Sequence, residues 1–304
     1  MVNKLTVKKK INVSRGLFFA VHLALGMFMV AVFYFYANIK SFVMAFQRTE
    51  DGVLVWTMAN FGYFFDSLKE GGIMKEAFLN TFFWFLVNTI LRHIGMFTSY
   101  FLYKKIFLHK FYRIVFFLPS LISAVIMAYI IDRITGTQGI IAKMVQKIDH
   151  LDYVPELLVE SRYVMKTLFV NSAVFSIASG MLIWCGSMSR IPESVIESAK
   201  LDGTNWFQEM FLIVLPCILP TVAISLCTSI ATLFAANGGE FLYTRGEHGT
   251  MTFSTWQYLQ IYNTGIESNS HNLVSAIGWL VTIVTVPIVL MTRKLSRLVG
   301  EVEY

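Results

Sequence analysis

Five stretches of this 304-residue chain run for 18 to 30 residues without a charged side chain: 16–39, 114–131, 167–189, 210–239 and 272–292. At 1.5 Å per helical residue, about twenty residues cross the hydrocarbon core of a bilayer. A sixth stretch, 77–103, is interrupted by Arg92 and His93. Its halves, 77–91 and 93–103, are each too short to span, and together they suffice where Arg92 faces protein or water. Hydrophobic residues make up 56% of the chain and charged residues 14%, against roughly a quarter charged in soluble domains. A soluble chain this apolar has too little polar surface to cover itself. The expected fold class is an all-α integral membrane protein with about six transmembrane helices.

Charge placement sets the orientation. The net charge of +6 forms no single basic face, which argues against nucleic acid as a partner. The cations sit instead at the ends of apolar runs. With the N-terminus inside, short inner segments hold fourteen: Lys4, Lys8, Lys9, Lys10 and Arg15, then Lys104, Lys105, Lys110 and Arg113, then Arg190 and Lys200, then Arg293, Lys294 and Arg297. The longer outer loops hold ten. Both termini are therefore expected in the cytoplasm. The uncharged run after the basic N-terminal stretch is 24 residues, longer than the ~7–15 of a signal-peptide core, and reads as a retained helix. Cys185, Cys217 and Cys227 have no metal-ligand spacing and read as packing residues.

The inner segment between the fourth and fifth spans, 189–212, carries the strongest signal. Pro192 suits a first helical position, where its missing N–H costs nothing. Val195, Ile196 and Ala199 oppose Glu193, Glu197 and Lys200 across an amphipathic helix. Gly203 can take the left-handed geometry that ends a helix, and Asp202 tolerates the turn. Thr204 or Asn205 can cap the helix that leads through Pro216 into span five. Such a helix at the membrane face suits docking into a groove on another protein, the plainer alternative being an interfacial helix on anionic lipid.

Glu197-Ser198-Ala199, then Gly203, then Ile213, Leu215 and Pro216 resemble the EAA loop of binding-protein-dependent ABC importer permeases, with Ser198 where alanine is usual. The Asp202-Gly203 pair is similar to the maltose and glycerol-phosphate branch. Arg113–Pro119 entering span three and Asn237-Gly238-Gly239 after span five agree. The resemblance implies an ABC importer permease core at 76–304, preceded at 1–75 by a cytoplasmic tail, the first span and the first outer loop. It implies a coupling role for Glu193, Glu197, Ser198, Ala199, Asp202 and Gly203, with the first loop helix seated in a cleft of an ATPase. It further implies a similar second permease subunit, two ATPase subunits, an extracytoplasmic sugar-binding protein, and a multi-pass place in the bacterial cell membrane.

No G-x-x-x-x-G-K-[ST] phosphate loop occurs. ATP and Mg are thus expected on a partner chain, with no cofactor, metal or catalysis on this one. The six histidines, His22, His93, His109, His150, His248 and His271, show no ligand spacing. Asp and Glu are nearly absent from span interiors, which lowers the weight of proton-coupled carriage.

For the substrate path, Ser172, Ser176 and Ser179 share one face of span four. Ser225, Ser229 and Thr232 repeat that spacing in span five, which Asn237 ends. These stripes can hydrogen-bond sugar hydroxyls, although small hydroxyl residues also pack helices together in lipid. An arginine at a span centre costs ~2.5–3.5 kcal/mol on insertion scales, so Arg92 is expected at a hydrated kink of a broken or tilted span, ahead of a pairing with an anionic substrate or Asp132. The reading is a sugar or oligosaccharide permease; the alternatives are a permease for a peptide or anionic solute, or a non-transporting scaffold.

Overall fold

A computed structural model describes residues 13–263 and 268–298. Lys4, Lys8, Lys9 and Lys10, counted above toward an inner N-terminus, lie outside the described residues. In chain order the first elements are α1 (Val13–Met29), a π-helical stretch (Val30–Tyr36), α2 (Ala37–Ala45), strands β1 (Gln47–Glu50) and β2 (Val53–Trp56), and α3 (Ala59–Lys69). Next come α4 (Ile73–Tyr103), α5 (His109–Leu121), α6 (Ala124–Thr135), α7 (Ile140–Ile148) and α8 (Val164–Met188). The remainder is α9 (Glu193–Leu201), α10 (Trp206–Gln208), a second π-helical stretch (Glu209–Val214), α11 (Leu215–Ala231), a 3-10 turn (Leu233–Ala235), α12 (Glu240–Tyr243), α13 (Phe253–Asn263) and α14 (Ser268–Leu298).

The contacts divide the chain into two units, Met1–Gly62 with Ile266–Trp279, and Tyr63–Gly265 with Leu280–Tyr304. In the first unit, Val21–Ala45 is long and apolar enough to cross a membrane, and none of its best window is buried. Phe28, Phe33, Tyr34 and Phe35 stand exposed on it, a surface whose natural solvent is lipid. After it, Asp51 and Gly52 both take positive φ and close an antiparallel hairpin in which Glu50 faces Val53 and Gln47 faces Trp56. An Asp-Gly pair between two strands is a strong hairpin signal, and this small sheet is an addition to the all-helical expectation. Asn60, buried, donates to the carbonyls of Ala45 and Gln47 at 3.1 and 2.9 Å, tying the hairpin to the end of α2.

In the second unit α4 and α8 form the central pair. They approach closely because glycine stands where their backbones meet: a Cβ on Gly95 would lie 3.0 Å from the Ile177 carbonyl oxygen, and one on Gly180 would lie 3.0 Å from that of Arg92. Small residues play this part widely where lipid supplies no hydrophobic drive between helices. Trp184, fully buried, donates its Nε1–H to the Arg92 carbonyl at 2.9 Å. Around the end of this pair nearest the 189–212 loop, Met96, Tyr100, Trp184, Met188, Ile191, Ile196, Met210, Val214 and Ile218 make one apolar core.

Two expectations are corrected here. The stretch 77–103 is not broken: α4 is a single 31-residue helix running through Arg92 and His93. The helix passes Arg92 without a kink, and the Arg92 carbonyl accepts from the Trp184 side chain on α8 at 2.9 Å. The window 114–131 is not one straight span, since α5 and α6 meet at a 103° bend. Ile122 and Ser123 are extended there, and the Ser123 hydroxyl accepts from the Ile126 N–H to start a new helix. Among the described residues, four helices pass as membrane spans by length and composition, and a fifth if the bent pair is one span.

Candidate functional site

The inner loop folds as two helices about a glycine bend. Pro192 is the extended residue before α9 and not its first helical residue. Gly203 has φ +73, with no atom within 4 Å of where a Cβ would stand. Glycine is thus favoured there by backbone conformation and not by crowding. The amides of Asp202, Gly203 and Thr204 close onto the carbonyls of Ser198, Lys200 and Ala199. Asn205, of the two candidate caps, starts the next helix in a reciprocal box with Gln208 at 2.9 and 3.0 Å.

Burial sorts the predicted coupling residues. Glu193, Glu197, Ser198, Asp202 and Gly203 are exposed. Ala199 is buried, so it cannot touch a partner; its small size lets α9 lie close against the bundle. Ile196 plugs into the shared apolar core of α4, α8 and α11. Leu201 projects from the bend 88% exposed, an apolar tip without cover. The loop is thus fastened on one side and bare on the other. A second fastening was not anticipated from the sequence: Glu209, 3% exposed, pairs with Lys104 at the end of α4.

The predicted path residues gather on two neighbouring cavities. One, of about 530 Å³, is lined by Ser172, Ser176, Ser179 and Asn237 together with Asn88, Arg92, Asn171 and Tyr243. A smaller one, of about 190 Å³, is lined by Ser229, Thr232 and Asn237, again with Asn88 and Arg92. Ser225 lines neither; it is buried in α11 and its hydroxyl has no partner among the described residues.

Asn88 is the residue that organises this region, and it was missed. Its Oδ1 accepts from Ser172 at 2.6 Å and from Ser176 at 3.0 Å, while its Nδ2 donates to the Asn237 carbonyl at 2.9 Å. One side chain on α4 thereby joins the serine stripe of α8 to the turn after α11. An amide inside an apolar run was the available signal, since polar side chains in lipid need partners.

The turn itself is held by Glu240, wholly buried and also missed. Its carboxylate accepts from the Gly238 N–H at 2.8 Å, from Thr255 at 2.9 Å and from Thr252. Gly238 leaves no room for a larger residue, because a Cβ would lie 2.3 Å from the ring of Trp84. The pairing of Arg92 with Asp132, the less favoured alternative to a kink, is not formed among the described residues; Asp132 lines a different cavity with Arg133 and Glu156.

A family model described as "Binding-protein-dependent transport system inner membrane component" matches residues 93–300. The probable ABC transporter permease protein YesP of Bacillus subtilis (strain 168) is 26% identical, over 61% of this chain and 60% of its own length. The probable starch degradation products transport system permease protein AmyD of Thermoanaerobacterium thermosulfurigenes is 25% identical, over 59% of this chain and 60% of its own length. The arabinooligosaccharides transport system permease protein AraP of Halalkalibacterium halodurans is 25% identical over 80% of this chain and 76% of its own length. The chain thus spans about three-fifths of the length of the first two of these relatives. Among solved structures, a chain of a bacterial alginate ABC transporter, in complex with an alginate pentasaccharide-bound periplasmic protein, superposes with a TM-score of 0.78. It is 20% identical, with 94% of this chain and 96% of that one covered.

Proposed function

The chain belongs to the inner-membrane components of binding-protein-dependent transport systems, and from that premise we propose that it is the permease half of an ATP-driven importer for a sugar or oligosaccharide. Relatives named for starch degradation products and arabinooligosaccharides support the substrate class. So does the alginate importer whose fold it shares. The importer is completed by a similar second permease, two ATPase subunits that carry ATP and Mg, and an extracytoplasmic binding protein. Six spans, which put both termini on one side, follow if α4 and the bent α5–α6 pair each cross the membrane; the Lys and Arg distribution makes that side the inside.

The observation that carries the reading is the one-sided fastening of α9. Ile196 and Ala199 root the helix in the bundle, while Glu193, Glu197, Ser198 and Leu201 face outward. A partner that grips the bare side moves α4, α8 and α11 with it, because their side chains interlock in one core. Closure of the ATPase pair on ATP then reorients the helices that carry the polar cavities, and the saccharide passes between this chain and its permease partner. The hydrolysis belongs to the other subunits.

Purification from the native membrane in mild detergent tests the assembly. Mass spectrometry of the complex is expected to find an ATPase and a second permease in stoichiometric amounts; a chain that purifies with no ATPase would contradict the reading.

A further inference from the structure

Arg92 is the one charged residue, among the described residues, that lines either polar cavity, and no Asp or Glu lines them. Its guanidinium has no ion pair among the described residues. The position is nonetheless built. Trp184 holds its carbonyl, and Gly180 opens the space beside its stem, where a Cβ would lie 3.2 Å from Arg92 Cγ. An unneutralised guanidinium within a membrane span is costly unless water or an anion meets it.

The rest of the lining suits a sugar. Beside Arg92 the larger cavity is lined by Asn88, Asn171, Ser172, Ser176, Ser179 and Asn237, amides and hydroxyls without charge. Such acceptors and donors match hydroxyl groups. A neutral saccharide satisfies them and leaves Arg92 unmatched. A carboxylate supplies the missing charge, because its two oxygens fit the planar fork of a guanidinium. One cation balances one carboxylate, whereas a phosphomonoester brings closer to two charges.

We propose that the transported saccharide is acidic, built from uronic acid residues, and that Arg92 takes a carboxylate of each passing chain. This rests on the saccharide-importer reading above and narrows it.

The test is uptake by the whole importer in proteoliposomes with its binding protein. The probes are galacturonate, glucuronate and mannuronate trisaccharides, each beside its carboxyl-reduced counterpart. The binding protein is the same in every arm, so a change of preference between variants reports on the permease. Wild type is expected to favour an acidic probe over its reduced form. Arg92→Gln should cut that preference about ten- to hundred-fold, as expected for loss of a charged hydrogen bond. Arg92→Lys should keep most of it.

Asn88→Asp is the second variant, in case Arg92→Gln fails to assemble. It keeps an acceptor for Ser172 and Ser176 and sets a carboxylate one helical turn from Arg92, so it should also erase the preference. An acidic preference unchanged in both variants overturns the role of Arg92. Equal wild-type uptake of acidic and reduced probes overturns the acidic substrate while leaving the sugar importer standing. If no saccharide is taken up and a peptide is, the sugar reading falls and this inference with it.

Discussion

Lys104 Nζ lies 2.8 and 2.7 Å from the two carboxylate oxygens of Glu209, which joins the end of α4 to the helix emerging from the 189–212 loop. Glu209 is almost fully enclosed, while Lys104 keeps about a quarter of its side chain in contact with solvent. A carboxylate buried this far needs its cation, and breaking such a pair from one side costs ~3–5 kcal/mol where both groups are buried.

Lys104→Met is therefore expected to lower the stability of the detergent-purified chain by about 2–4 kcal/mol, the partial exposure of Lys104 reducing the full figure. Adding Glu209→Met should recover much of that loss, since the unpaired charge is gone. Thermal unfolding of the single and double variants measures the coupling. Equal stability of Lys104→Met and wild type would show that the pair holds nothing.

Gly203→Pro should leave the chain inserted while separating ATP hydrolysis from uptake. Proline fixes φ near −65°, and this bend needs +73. Gly203→Ala meets no steric obstacle beyond its own backbone and should cost only ~1 kcal/mol, with coupling largely kept. Parallel ATPase and uptake assays in proteoliposomes distinguish the two. Normal uptake by the proline variant would remove the bend from the mechanism.

Gly238→Ala should be disruptive out of proportion to one methyl group. The new Cβ would sit 2.3 Å from the enclosed Trp84 ring, and overpacking of this kind typically costs ~1–3 kcal/mol. Loss of folded yield, relieved by Trp84→Leu in the same chain, would identify the clash. A fully stable Gly238→Ala would show that the turn can shift freely.

Glu240→Gln tests whether that buried carboxylate is a brace for the turn after α11. Glutamine keeps one accepting oxygen but turns a donor toward partners that already donate, Gly238 N–H on one side and Thr252 and Thr255 on the other. A loss of about 1–3 kcal/mol in thermal unfolding is expected for hydrogen bonds to a charged group. Unchanged stability would mean that the threonines bond elsewhere.

The loop was readable in the sequence because each of its turns rests on a local rule. Gly203 suits the left-handed turn, Thr204 or Asn205 offers a cap of which the structure uses Asn205, and the inward and outward faces of α9 follow helical period. The spans at 167–189 and 272–292 were legible for the same reason, as uninterrupted apolar runs. What escaped depends on neighbours distant in the chain. Asn88 gains its meaning from Ser172 and Ser176 through the crossing of α4 and α8, and Lys104 gains its meaning from Glu209. A charge inside a span predicts a broken or tilted helix at Arg92; the packing of Gly180 and Trp184 against it, about ninety residues on, has no local signal. The Asp51-Gly52 hairpin was local and legible, and was overlooked beside the larger apolar signals.

The grip on α9 is tested most directly by site-specific photo-crosslinking in native membranes, with a photoreactive residue placed in turn at Glu197, Leu201 and the buried Ile196. The outward positions Glu197 and Leu201 are predicted to capture an ATPase subunit, with Ile196 capturing only this chain. Crosslinks from Glu197 and Leu201 to lipid alone, or to a protein on the extracytoplasmic side, would contradict the account.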